Sequence, residues 1–378
     1  MKDIKTIVMV PPNGWMRSQD FSIHRIAKYF KTIKNIRTII VKIDNKKLDG
    51  DFDNGGYVDE VINVKDEKEI FKTIEKLNPS MIFHRSWMLA YPFAKRLVKR
   101  FDNVVVNIKD WNFSTKKEYK FIFENHNDDF KAIKYIFKNA KYILSHFTKE
   151  QSKIWAKKYN VDKNKFIFFP EYCNKENFNN KSLVYDKNKT INIVIAGSFA
   201  PSSFPEQFFI GKGVLRAVSK FSKQNISTSI VTIPSYYNSI LKQKTAYRDV
   251  LYENKFNKYF NLVKGEVLDS SVISSFDFAF FLLEYTTKNE YLNKYAIPSK
   301  FAFYLEAGIP MIVNSKMKSL AYYVKKYNLG LVFDNSDIDD FNVIINISQK
   351  RYKKILKSIL SFRESFLYGA NKIFEGKF

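Results

Sequence analysis

The stretch Ala296 to Asn314, AIPSKFAFYLEAGIPMIVN, constrains the fold more than any other. Pro298 suits the first turn of a helix, where a missing N–H costs nothing. Phe301, Tyr304 and Leu305 recur at helical spacing, and Phe303 and Ala307 widen the apolar face. Gly308 ends the helix and Pro310 forbids its continuation, so Met311-Ile312-Val313 reads as a short buried strand. Lys300 falls in the first turn, where free N–H groups and the positive end of the macrodipole already favour an anion. A lysine there disfavours the isolated helix, so a negative group, such as a diphosphate, is expected to offset it. The plainer alternative is a solvated lysine on an amphipathic helix.

The chain begins with Thr6–Val10 as a buried strand, a turn-rich loop PPNGWMRSQDFS, and an amphipathic helix over Ser22–Ile33. That order opens a doubly wound domain, whose ligands bind outside the carboxyl ends of the strands. Asn13, Gly14, Trp15, Met16 and Arg17 therefore face the expected cleft. Gly14 either lets backbone N–H groups approach a ligand or only makes the turn, and no G-x-G-x-x-G fingerprint is present. Strands at Arg37–Ile43, Met81–His84 and Val104–Ile108 alternate with helices at Glu67–Leu77 and Met88–Val98, as in a parallel sheet covered on both faces. His84-Arg85-Ser86 and Lys109-Asp110-Trp111 leave strand ends at one rim. His84 and Asp110 are thus candidate general bases and Arg85 a candidate cleft residue, although a lone histidine also serves as a structural residue.

Further along, a strand at Tyr142–Ser145 leads to Thr148 as N-cap with Gln151 at the capping-box position. A helix to Tyr159 and a strand at Phe166–Phe169 follow. The polar stretch Asn174–Thr190 reads as a linker. A second domain restarts at Ile191–Ala196, followed by Gly197-Ser198, and Lys212-Gly213 opens a helix through Val214, Ala217, Val218 and Phe221. Ser229–Pro234 reads as a strand ending in Ser235-Tyr236-Tyr237, where Tyr236 stacks on a nucleobase or lines the core rim. Glu284 leaves the end of a strand at Phe278–Leu283. After Leu331–Phe333, residues 341–378 read as mainly helical and basic.

At 378 residues and 45% hydrophobic, the chain has material for two cores. No apolar run approaches the ~20 residues of a membrane span, and the N-terminal apolar run is too short for a signal peptide. The single cysteine, Cys173, excludes an internal disulfide and a Cys-rich zinc site, so a cytoplasmic protein is expected. The net charge of +25 is spread over both halves, in a chain that also over-uses Asn, Ile, Phe and Tyr. Without an arginine-rich block or RNA-binding signature, nucleic acid is not an expected partner. Peripheral contact with an anionic membrane leaflet is, beside the plainer reading of a basic, soluble surface. Asp51-Phe52-Asp53 lies in DGDFDNGG, where these residues are ordinary turn formers, so no metal is expected there.

The pattern Pro298-x-Lys300-x-x-x-Tyr304-Leu305-x-Ala307-Gly308-x-Pro310 resembles the donor-site helix of GT-B sugar-nucleotide glycosyltransferases, which have two Rossmann-like domains. It is most similar to the family 4-like bacterial enzymes that build capsules, O-antigens and glycoproteins. Residues 141–178 resemble the crossover segment of the same enzymes, with Glu171-Tyr172 where Asn-Gly is common. The resemblance implies a donor site containing Gly197, Ser198, Lys212, Pro298, Ser299 and Lys300, with Lys212 and Lys300 gripping the diphosphate in place of a metal. Two departures stand out: Ser198 replaces an arginine and Phe303 replaces an acid. Arg216 is a candidate substitute for the first, and Glu284 for the second.

The expectation is an α/β protein with the GT-B architecture, two doubly wound Rossmann-like domains. Residues 1–175 would form the acceptor-side domain, 176–190 the linker, 191–355 the donor domain, and 356–378 a terminal helix crossing back. The implied activity is metal-independent sugar transfer from a nucleotide sugar to a glycan, lipid-linked or protein-linked acceptor. The alternatives are a non-catalytic glycosyltransferase-like partner subunit and a GT-B-fold sugar-nucleotide epimerase. The sequence sets no oligomeric state.

Overall fold

Runs rich in Val and Ile, bounded by turn residues, become strands, and the amphipathic stretches between them become helices. The computed structural model describes residues 5–11, 21–33, 35–43, 58–87, 90–109, 111, 126–180, 185–186, 189–197, 199, 211–265, 270–281 and 294–370. They divide into two compact units between Pro170 and Glu171.

The first unit contains β1 (Thr6–Val10), α1 (Phe21–Lys28, extended by a π turn to Ile33), β2 (Arg37–Ile43), β3 (Glu60–Val64), α2 (Glu67–Leu77) and β4 (Met81–Ser86). It continues with α3 (Tyr91–Arg100), β5 (Val104–Ile108), α4 (His126–Asn139), β6 (Tyr142–Ser145), α5 (Lys149–Tyr159) and β7 (Phe166–Phe168). The strands run parallel in the order β3-β2-β1-β4-β5-β6-β7.

The second unit contains β8 (Asn192–Ala196), α6 (Gly211–Lys223), β9 (Ser227–Thr232), α7 (Pro234–Lys242), α8 (Arg248–Phe256), β10 (Phe260–Lys264) and α9 (Ser271–Ser274). Then come β11 (Phe278–Phe280), α10 (Lys300–Ala307), β12 (Met311–Asn314), α11 (Lys318–Lys326), β13 (Gly330–Phe333), α12 (Phe341–Ile345) and α13 (Gln349–Ser365). Its parallel order is β10-β9-β8-β11-β12-β13. Each sheet therefore reverses its winding once, between β1 and β4 and between β8 and β11. A doubly wound sheet opens a crevice at such a switch point.

Four local expectations shift. Helix α3 starts three residues later than its apolar pattern suggests, because Pro92 takes the first turn. Strand β4 continues through Ser86, pairing Arg85 with Asn107, so His84 lies inside the strand rather than at its end. Pro234 opens α7 instead of closing a strand, which places Tyr236 in a first helical turn. Thr148 caps α5 by position, yet its side chain takes no backbone bond there. Instead it bonds the Glu150 carboxylate, which helps hold that carboxyl below its usual range against the opposing effect of burial.

Aromatic rings fill both cores. In the second unit Phe221 packs on Phe280 at 5.3 Å and on Phe341 at 4.5 Å, while Phe280 meets Phe333 at 5.4 Å. These rings join α6, the sheet and α12 into one body, each contributing roughly 1.5–3 kcal/mol by burial. Among the described residues no helix is long and apolar enough to cross a membrane.

Candidate functional site at the switch point of the second sheet

Helix α10 forms where its sequence signals place it. Pro298 precedes it, accepting from the Phe301 N–H at 2.9 Å, and Gly308 closes it with φ +71°. Ser299 occupies the N-cap position with helical backbone angles and no side-chain cap bond, which leaves the helix start open to an external acceptor. Seven residues of α10, Phe301 to Ala307, are buried, so only Lys300 at its start reaches out of the packed interior.

Tyr304 aims that first turn. Its buried hydroxyl accepts from the Ala196 N–H at 2.9 Å and reaches the Phe280 carbonyl at 3.4 Å. It thus ties α10 to the carboxyl ends of β8 and β11, the two strands flanking the switch point. Burial raises its phenol well above the ordinary range, so it stays a neutral hydrogen-bonding group. Lys300 precedes Tyr304 by four residues and shares its helix face.

Gly197 receives the Lys300 side chain. Its φ of +102° is one that L side chains rarely adopt, and its N–H donates to the Val231 carbonyl at 2.8 Å. A Cβ built there would lie 3.0 Å from Lys300 Cε and 3.5 Å from Nζ. The glycine lets the lysine lie across the strand end. Among the described residues no carboxylate pairs with the Lys300 ammonium, and burial pulls it down to about 8. An amine held this way gains from any anion brought beside it.

The turn beyond Gly197 is held from the other side. Tyr236 donates to the Phe199 carbonyl, and the Tyr236 and Tyr247 hydroxyls lie 2.7 Å apart. Burial and Tyr247 raise the Tyr236 phenol far above its ordinary value. Its hydroxyl thus bonds within the second unit, which fits the expectation that Tyr236 lines the core rim and leaves stacking on a nucleobase open to its ring face.

His84 is not the rim base that its sequence position suggested. It is wholly buried, its Nδ1 lies 2.7 Å from the Val10 carbonyl, and its ring meets Phe93 edge-on at 5.2 Å. Burial pushes it down to about 4, so it is neutral near neutral pH and closed off from solvent. Arg85 is likewise buried, donating from Nη1 to Asn107 Oδ1 at 3.0 Å within the sheet layer. Arg216 lies on the exposed face of α6, opposite Val214, Ala217, Val218 and Phe221. Lys212 lies in the first turn of α6, and its side chain is outside the described residues. Asn13, Gly14, Trp15, Met16, Arg17, Asp51, Asp53, Asp110, Ser198 and Glu284 also fall outside them.

Of the expected donor residues, the structure brings together Gly197, Pro298, Ser299 and Lys300. The sequence reading missed Tyr304 as the tether, although its spacing from Lys300 was visible, and it missed Tyr247 altogether. Behind α10, Glu306 Oε1 accepts from the Asn174 N–H at 2.7 Å, and Arg363 stacks on Phe178 at 4.2 Å while donating to Asn180 Oδ1 at 2.7 Å. These bonds fix the start of the second unit against α10. Among the described residues no group of three or more His, Cys, Asp or Glu side chains gathers.

Two parallel sheets of this order, with an anion-seeking helix start at the second switch point, define the GT-B glycosyltransferase fold. Comparison with known proteins agrees. Residues 237–371 match the family described as glucosyltransferase 3-like, C-terminal domain. Among solved structures, Anabaena HepE in complex with UDP aligns with a TM-score of 0.64 at 10% identity, covering 98% of each chain. Sucrose-phosphate synthase from Thermosynechococcus elongatus aligns with 0.64 at 11%, covering 97% of this chain and 96% of that one. A Methanocaldococcus jannaschii UDP-GlcNAc 2-epimerase in complex with UDP-GlcNAc and UDP aligns with 0.51 at 9%, covering 95% and 100%. No curated protein sequence matches the chain.

Proposed function

We propose that this chain is a glycosyltransferase that takes a sugar from a nucleoside-diphosphate donor and passes it to a glycan, lipid-linked or protein-linked acceptor. The observation that carries the reading is Lys300, a partly buried amine with no carboxylate partner among the described residues, laid over Gly197 beside an uncapped helix start. The family match over 237–371 and the UDP bound by HepE support the same class of donor. The donor diphosphate lies against the first turn of α10, with Lys300 and Lys212 as its cations, and no metal is needed to balance it. In the reaction the bond between the sugar's anomeric carbon and the phosphate oxygen breaks. The electron pair leaves with the nucleoside diphosphate, where Lys300 and the helix dipole stabilise the new charge. The acceptor oxygen bonds the anomeric carbon, and its proton passes to a base, for which Asp110 is the remaining candidate. Glu284 stands in for the family acid that Phe303 replaces. Peripheral contact with an anionic leaflet would bring the protein to lipid-linked acceptors.

Thermal shift with UDP, GDP, CMP and TDP identifies the nucleotide, since a ligand preferring the folded state raises Tm. Lys300→Ala should weaken the preferred nucleotide about tenfold to a hundredfold, one charge-assisted contact of roughly 1.5–3 kcal/mol. Its unliganded Tm should stay level or rise, because the folded state holds the amine at about 8, below its ordinary value. Wild-type affinity should be full below about pH 8 and decline above it as the amine loses its proton, a decline absent from the variant. Nucleotide affinity untouched by the substitution would overturn the donor site. Binding without donor hydrolysis or transfer would instead favour a non-catalytic partner subunit.

A further inference from the structure

A second charged feature lies on the helices α11 and α13. These pack together: Asn328, just past α11, donates to Ser358 Oγ of α13 at 3.1 Å, and the rings of Tyr327 and Phe362 lie 4.5 Å apart. Both helices bury their apolar faces in the second unit, Leu320 and Val324 from α11 and Tyr352, Ile355, Leu356 and Ile359 from α13. Their outward faces carry Lys318, Lys325 and Lys326 on the first helix and Lys353, Lys354 and Lys357 on the second, all exposed. No carboxylate occurs in α11, and α13 has none before Glu364, which pairs with Lys175 at 3.5 Å.

A lysine-rich composition alone does not produce this. Helix α2 of the first unit carries Lys68, Lys72 and Lys76 but also three carboxylates, Glu67, Glu69 and Glu75, of which Glu67 and Glu75 pair with Arg96 and Arg100 of α3. Aromatic rings are interleaved with the uncompensated charge. Tyr322 is 56% exposed and Tyr327 36%, and the Lys326 ammonium lies 5.3 and 5.2 Å from the two ring centres. Phenol rings beside lysines on a rigid face suit the boundary between water and lipid headgroups, where the ring body is buried and the hydroxyl stays wet.

We infer that the outward face of α11 and α13 is a docking surface for an anionic lipid bilayer. The complementarity is one of charge: clustered lysines without carboxylates are drawn to the negative surface potential of acidic phospholipids. Lysine point charges fit such a diffuse field, whereas base-reading of nucleic acid calls for the arginine fork, and the two helices expose a single arginine, Arg351, among their lysines. Neither helix has an apolar face left to insert, so attachment is electrostatic, reversible and weakened by salt. The inference deepens the membrane-contact part of the proposed function, and it is independent of which donor is bound.

The test is flotation of the full chain with vesicles of phosphatidylglycerol and phosphatidylcholine, against vesicles of phosphatidylcholine alone. Wild type should bind the acidic vesicles at least about tenfold better, and raised salt should remove the difference. Changing Lys353, Lys354 and Lys357 together to Glu should bring binding to the neutral-vesicle level with Tm retained. The same change at Lys68, Lys72 and Lys76 alters net charge equally and should leave most binding in place. Undiminished binding by the α13 variant, equal loss in both variants, or a preference for single-stranded RNA over acidic vesicles would overturn the assignment. Nucleotide thermal shift on the α13 variant separates the two readings. A wild-type-sized shift is expected there, while absence of any shift in wild type counts against the donor site and leaves the vesicle result standing.

Discussion

At the switch point of the first sheet, His84 lies wholly buried with Nδ1 against the Val10 carbonyl. At the same topological place in the second sheet, Lys300 lies over Gly197 with its ammonium unpaired among the described residues. The two sheets share one winding pattern, but one rim encloses its titratable group and the other leaves it without a carboxylate partner among the described residues. The strand order decides where a crevice opens, whereas the side chains packed around it decide its chemistry. Burial lowers both groups, to about 4 for the histidine and about 8 for the lysine. The consequences differ because a neutral histidine is content inside a core, whereas a lysine at 8 is still largely charged at neutral pH.

Gly197→Val should give the largest separation between the two rims. A β-branched side chain at φ +102° is strained, and its Cβ would displace Lys300, so both backbone and cation are lost together. Nucleotide affinity should fall more than about a hundredfold, beyond the loss from removing Lys300 alone. Isothermal titration measures it, and an affinity within a few-fold of wild type would show that the rims do not differ in this way.

The first rim should respond to acid instead. Because the folded-state His84 value lies at about 4 rather than near 6.5, the unfolded chain binds the proton first. Stability from this group is complete above about pH 6.5 and is lost as pH falls toward 4, by roughly 3 kcal/mol in all. His84→Gln should flatten that dependence in denaturant titrations while leaving nucleotide affinity unchanged. A change in affinity would return His84 to the site.

Tyr304→Phe should have the smallest effect. It leaves the Ala196 N–H without its acceptor, costing about 1–3 kcal/mol of stability. Nucleotide affinity should drop only slightly, since Lys300 keeps its place over Gly197. Chemical denaturation and titration on the one variant check both numbers.

These two rims were not equally legible in the sequence. Apolar runs and helical periodicity gave Thr6–Val10, Arg37–Ile43, Glu67–Leu77, Val104–Ile108 and Tyr142–Ser145 to the residue, helped by flanking turn or cap residues such as Pro11, Asp66 and Asn78. Pro298, Lys300 and Gly308 marked α10 by the same local rules. His84 misled because strand ends depend on pairing: β5 continues alongside β4 through Ile108, which draws Arg85 and Ser86 into the ladder. The tyrosine bonds beyond β8 join residues far apart in the chain, Ala196 with Tyr304 and Phe199 with Tyr236, and no local pattern announces them. The positive φ of Gly197 was equally silent, since a glycine beside a serine is ordinary turn composition.

The depressed lysine has a consequence for reagents. Near pH 8 about half of the Lys300 side chains are free amine, against well under about one per cent for an ordinary lysine. Acylating and carbonyl reagents react only with that form, so among the described lysines Lys300 is the one lowered furthest toward reactivity at mild pH. A covalent mark placed there, and blocked by a bound nucleotide, would turn the site into its own reporter.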